Sequence, residues 1–192
     1  MGLSIHYRGR IKKRASLHEL IEEVADISRI CKWKYYILET EFPKNNAGEK
    51  KYNEKLYGIF FTPEQCEPVC FTFLSNGLMN SLLHLEFPEM RKEYKMTWVS
   101  TKTQFAGMQT HIHVVDLIRY ISKKYLAAFE MNDEGYYWET KSKAKLKKRF
   151  DEYNCLMDAF ADALENVPKK KGEDIEKFIT RLAKRIHLKK KK

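Results

Sequence analysis

The sequence predicts an α+β fold: a largely antiparallel sheet of about five or six strands, covered on one face by helices, with a helical C-terminal third. Three observations lead there. Period-two alternation and aromatic, β-branched runs crowd the first 105 residues, whereas helical spacing dominates afterwards. Ser75-Asn76-Gly77 sits between two strand-like runs, and Asn-Gly supplies the positive φ angles of a tight hairpin turn. Strands that come first and helices that come later point to a sheet with helices packed on it.

Gly2 to Arg8 alternates, with Leu3, Ile5 and Tyr7 on one face, and reads as a half-buried first strand. Ser16-Leu17-His18-Glu19 offers a capping box, and Leu17, Leu20, Ile21, Val24 and Cys31 follow at helical spacing, so a helix is expected over 17–32. Trp33 to Phe42 reads as a strand ended by Pro43, and the polar stretch 43–55 as a loop. Further strands are expected near 56–62, 69–75, 78–87 and 94–105. Past Gly107 the stripe Ile112, Val115, Ile118, Ile121, Tyr125, Leu126 and Phe129 predicts a helix over 109–130. Leu146, Phe150, Tyr153, Met157, Phe160, Leu164 and Val167 then recur every three or four residues, an unbroken apolar seam. A last amphipathic helix spans roughly 173–188. At 192 residues, 43% of them hydrophobic, the chain suits a single domain over 1–167, followed by a basic amphipathic helix and Lys-rich tail over 168–192.

No apolar run approaches the roughly 18 residues of a membrane span, and the first residues alternate instead of forming a signal block, so a cytoplasmic protein is expected. The four cysteines are scattered. Cys31 and Cys155 fall on apolar helical stripes, and the Cys66–Cys70 pair lacks the second pair of ligands that zinc requires. No metal or cofactor is expected: the chain has no Gly-rich phosphate loop, dinucleotide fingerprint, nucleophile elbow or H-E-x-x-H.

Charge is sorted into islands. Residues 8–14 hold five Lys or Arg and no acid, 141–149 hold six and none, and 168–192 hold eleven against three. The formal total is +10, so the remaining 151 residues sum to −9. Candidate contacts for a polyanion or an acidic partner are therefore Arg8, Arg10, Lys12, Lys13 and Arg14; Lys143, Lys147, Lys148 and Arg149; and Arg181, Lys184 and Arg185. The second island opens a predicted helix, where cations oppose the helix dipole.

Two candidate pockets carry titratable groups. His111 and His113 with the loop acids Asp133 and Glu134 form one; in a helix the two imidazoles point about 200° apart and cannot share a metal. His6, His84 and Glu86 fall opposite the apolar faces of their strands and would meet on an open sheet face if those strands were neighbours, with Arg8 and Thr72 beside them. The balance favours a non-catalytic binding or regulatory protein acting through its helical, charge-segregated C-terminal third, by a protein partner or self-association. One alternative is a weak nucleic-acid or other polyanion binder working partly through the tail; another is a small hydrolase or ligand-binding enzyme with a His/carboxylate site.

Overall fold

The structure, a computed structural model, describes residues 2–13, 15–43, 53, 55–83 and 98–189, the last five by their backbone alone. The chain divides into two compact units, Met1–Leu146 and Lys147–Lys192.

In the first unit, Leu3, just before strand β1 (Ser4–Ile11), and Ile5 and Tyr7 within it are completely buried, as the alternation predicts. Both of its edges are used. Strand β5 (Val99–Lys102) pairs antiparallel with the first half, from Ser4 opposite Lys102 to Tyr7 opposite Val99. Strand β6 (Leu126–Asp133) pairs antiparallel along the other edge, from Ile5 opposite Asp133 to Ile11 opposite Leu126, with a bulge between Arg8 and Arg10. A second antiparallel sheet orders β2 (Lys34–Ile37), β3 (Tyr57–Thr62) and β4 (Val69–Phe73), so that Ile37, Ile59 and Phe71 lie side by side. Gly58 is required here: at φ 117° a side-chain Cβ would stand 2.2 Å from the Phe71 carbonyl oxygen.

Helix α1 (Leu17–Ile30) starts where the capping box places it, with the Ser16 hydroxyl accepting from the Glu19 N–H at 3.2 Å. It turns Leu17, Leu20, Ile21, Val24 and Ala25 inward and packs on β3. A tight turn forms at the expected place but not with Asn76 and Gly77 at its centre: the Gly77 N–H reaches the Leu74 carbonyl at 2.8 Å, so Ser75 and Asn76 are the central residues, and of the Asn-Gly pair Gly77 alone takes positive φ, 82°.

A single sheet of five or six strands is not what forms. Among the described residues there are two sheets of three, and Leu78 and Met79 join them by isolated bridges, to Arg10 and to Phe73. The reason lies in β1. The Leu3 carbonyl just before it accepts from the Thr103 N–H at the β5 end, and farther along the Gly9 carbonyl accepts from the Met79 N–H at 2.9 Å while the Ile11 N–H donates to the Gly77 carbonyl at 3.0 Å. These odd-numbered positions lie on one edge of an extended strand, which β5 and the 77–79 segment therefore share. Too little of that edge is left for a full strand over 78–87, and residues 84–87 lie outside the described residues.

A second correction concerns the predicted helix over 109–130. A 3₁₀ turn (Gln104–Ala106) leads into helix α2 (Gly107–Tyr125), and the chain then becomes β6. Phe129, Met131 and Asp133 turn inward while Glu130 and Asn132 are exposed, an alternation of period two that the helical stripe masked. Ala128, at φ 48°, stands opposite the irregularity in β1. A one-turn helix α3 (Tyr137–Thr140) follows.

Helix α4 (Lys143–Asn166) and helix α5 (Ile175–Lys189) make the end of the chain helical, as expected. The second unit has a thin core: Ala163, Val167 and Leu182 are buried, with Leu156, Ala159, Phe160 and Phe178 partly so. The predicted seam holds in part: Leu146 and Phe150 are buried, and Phe160 and Val167 belong to this core, but Met157 and Leu164 are 39% and 44% exposed. Ala159 and Ala163 take their place, because small side chains let a neighbouring helix approach more closely than a row of large ones. No helix among the described residues is long and apolar enough to cross a membrane.

Candidate functional site

The first candidate pocket contracts into a sealed polar knot. His111, in the second turn of α2, accepts or donates through Nδ1 to the Thr103 hydroxyl at 2.7 Å and meets Asp133 Oδ1 through Nε2 at 3.2 Å. Asp133 also gathers three backbone N–H groups, from Gly135 at 2.7 Å, Tyr137 at 2.8 Å and Trp138 at 2.9 Å. The turn after β6 is built on that carboxylate. Burial pushes the Asp133 carboxyl up, but the His111 hydrogen bond and charge, with the Trp138 and Gly135 N–H groups, outweigh it and hold the group below its ordinary range. Thr, His and Asp in a row resemble the relay of a hydrolase. Thr103, His111 and Asp133 are nevertheless each 0% exposed, so no substrate carbonyl can reach the hydroxyl. Gly135 closes the lid: a Cβ there would lie 2.6 Å from Leu146 Cδ1 and 3.0 Å from both Asp133 Oδ1 and His111 Nε2. The knot's chemistry is therefore architectural, tying the 3₁₀ turn, α2 and β6 together.

His113 is exposed two residues on, within hydrogen-bond reach of Gln109 at 2.8 Å, so the helix separates the two imidazoles as its geometry requires. Glu134 turns outward to accept from the Ser4 N–H at 2.8 Å, with His6 Nε2 3.8 Å from its other oxygen. The structure thus brings His6 to Glu134. It does not bring His6 or Arg8 to Thr72, which sits in the other sheet with its hydroxyl donating to the Asn80 carbonyl at 2.5 Å. His84 and Glu86 lie outside the described residues. No group of three or more His, Cys, Asp or Glu among the described residues is placed to hold a metal ion.

Much of the first basic island is engaged locally. Arg8 pairs with Glu130 at 2.6 Å and lies 4.7 Å over the Trp98 ring. Arg10 donates to the Asn76 carbonyl at 2.5 Å. Lys12 donates to the Lys123 and Lys124 carbonyls at 2.5 and 3.0 Å, which places a cation on the C-terminal carbonyls of α2. Lys13 is exposed, and Arg14 lies outside the described residues. On α4, Lys143 and Lys148 are exposed, Lys147 pairs with Asp151 at 2.6 Å, and Arg149 pairs with Glu152 at 2.9 Å. On α5, Arg181 is clamped by Glu173 at 2.8 Å, whose carboxyl it lowers to about 2. Lys184 is exposed, and nothing is described of the Arg185 side chain.

Two features escaped sequence reasoning. Glu23 on α1 gathers the Tyr120 hydroxyl, the Tyr125 hydroxyl at 2.6 Å and the Lys124 ammonium at 2.9 Å, all from α2. Partial burial raises its carboxyl, but those bonds more than compensate and keep it below its ordinary value. The residues are about a hundred positions apart, so no local spacing signals the cluster. Arg119, likewise, lies 4.3 Å over the Trp138 ring and donates to the Trp138 carbonyl at 2.7 Å.

The thiols also differ from expectation. Cys31 and Cys155 are exposed instead of lining apolar stripes, because Cys31 caps the end of α1 and Cys155 faces away from the second unit's core. Burial pushes the thiols of Cys66 and Cys70 up to about 12.

The second unit also exposes large apolar side chains. Met157, Leu164, Ile175 and Ile179 are 39%, 44%, 67% and 43% exposed, beside a small core cluster of Ala163, Val167 and Leu182. The class defined by fold and surface is an α+β protein with a helical unit that keeps apolar side chains in water. The chain matches no protein-family model, no curated protein and no solved structure.

Proposed function

We propose that this is a non-catalytic binding or regulatory protein, and that its helical unit over 147–189 is the part that engages a partner. The observation carrying this reading is the exposure of four large apolar side chains on a unit with so small a core. Isolated surface hydrophobics are ordinary, but an exposed pair on one face of each helix of a marginal unit is what an interaction surface supplies. The sealed Thr103–His111–Asp133 knot argues in the same direction, since the most catalysis-like group in the first unit has no access to solvent.

The polyanion reading has less support. Arg8, Arg10, Lys12, Lys147, Arg149 and Arg181 already have protein acceptors, which a phosphate backbone would have to displace.

The test is the native mass of the protein in an extract of the cells that make it. The wild type should elute well above its monomer mass of 22.9 kDa. A variant with Ser at 157, 164, 175 and 179 should elute as monomer with its Trp fluorescence unchanged. Wild type running at monomer mass would overturn the reading.

A further inference from the structure

We infer, resting on the binding role just proposed, that the occupant of the helical unit's apolar face is a cationic amphipathic helix of another protein. At 100° per residue, Met157 and Leu164 share one stripe of α4, turned roughly 100° from the side that carries Ala163 and Val167. On α5, Ile175 and Ile179 are turned about 60° from Phe178 and Leu182. Each stripe is bordered on its outer side by acids: Asp158 and Glu165 on α4, Glu176 on α5. All three are exposed, and among the described residues none has an ion-pair partner. The cations of α5 (Lys177, Arg181 and Lys184) lie about 180° from Ile175 and Ile179, on the other side of the helix.

This distribution selects the partner. An apolar stripe on a helix is completed by another amphipathic helix whose anchors recur at i, i+3, i+4 and i+7. A second copy would present the same acidic border, so a two-fold contact would set Asp158 and Glu165 against their own equivalents, and like charges across an interface cost affinity. A helix with Leu or Ile on one side and Lys or Arg on its borders meets the apolar row and its rim together. The whole chain carries +10, so long-range attraction favours anionic ligands, and a preference for a cationic one has to arise locally.

The test uses the full chain and two synthetic 18-residue helices with Leu at i, i+3, i+4 and i+7, one with Lys and the other with Glu elsewhere. Fluorescence anisotropy at low salt should give at least tenfold tighter binding of the Lys peptide, with the gap narrowing as salt is added. Leu164→Lys or Ile179→Lys should weaken that binding at least tenfold at unchanged thermal stability. Asp158→Lys with Glu165→Lys should reverse the preference. Equal binding of both peptides, or Lys-peptide binding indifferent to these variants, would overturn the inference. So would a purified dimer dissolved by Leu164→Lys, which would make a second copy the occupant. If neither peptide binds while the extract complex still depends on positions 157, 164, 175 and 179, the cationic helix is excluded but the binding role stands. Loss of the extract complex as well would remove both.

Discussion

The two units solve the same folding problem with unequal means. The first buries complete aromatic and aliphatic side chains, among them Tyr7, Phe61, Phe71, Phe73, Ile118 and Ile121, and ties several of its buried polar groups to one another. Tyr7 illustrates the standard: its hydroxyl donates to the Cys70 carbonyl at 3.2 Å and accepts from the Cys70 N–H at 2.8 Å, linking β1 to β4 by a side chain. Burial pushes that phenol far above its ordinary range. The second unit buries Phe150, Ala163, Val167 and Leu182 and leaves Met157, Leu164, Ile175 and Ile179 exposed. Units of fewer than about 40–50 residues rarely enclose enough apolar area to be stable alone. Self-sufficiency and incompleteness therefore sit on one chain, which is why the functional proposal rests on the second unit.

The contrast breaks most severely at Asp133. Asp133→Ala would leave His111 without its carboxylate and three backbone N–H groups without an acceptor, at a cost of about 3–5 kcal/mol. Urea unfolding followed by Trp fluorescence measures it, since Trp33, Trp98 and Trp138 all belong to the first unit. The same group sets an acid limb. Its carboxyl is lower in the folded protein than the ordinary 3.8, so its contribution is complete above that pH. It is lost as pH falls through the lower folded value. Asp133→Asn should flatten stability against pH below about 4; an unchanged limb would assign it to other carboxylates.

Leu182→Ala tests the other side of the comparison. Removing the fully buried side chain of so small a core should cost about 2–3 kcal/mol. Helical ellipticity at 222 nm should fall at lower urea while Trp fluorescence keeps its midpoint. A common shift in both signals would mean that the units unfold as one. Tyr7→Phe removes the Cys70 contacts without changing shape and should cost about 1–3 kcal/mol, read from the fluorescence midpoint alone. The smallest perturbation is chemical. At pH 8 a thiol reagent should titrate Cys31 and Cys155 in the native protein and all four cysteines in denaturant, because burial holds Cys66 and Cys70 protonated. Fast reaction of Cys70 would contradict the sealed interior between the sheets.

Local signals carried much of this architecture. The alternation of Leu3, Ile5 and Tyr7, the Ser16 cap and a tight turn near Asn76-Gly77 are each signalled within a few residues, although the turn centres on Ser75 and Asn76. Asp133 and Glu134 were also legible as a loop pair of interest, since acids beside Gly135 suggest turn chemistry. What they do was not legible. Asp133 finds His111 and Thr103, and Glu134 finds Ser4 and His6, through strand pairing that connects residues more than a hundred positions apart.

By itself, then, the sequence determined where β1 and α1 begin, which residues bear charge and which stretches are apolar, because those properties are settled by neighbours along the chain. Only the tertiary structure decided that one expected sheet is two, that residues 126–133 join β1 instead of prolonging a helix, and that Ala163 enters a core from which Leu164 is excluded. Those outcomes depend on which distant segment takes an edge or a face first. Period and propensity cannot rank that competition, because its energy resides in contacts the linear order does not contain.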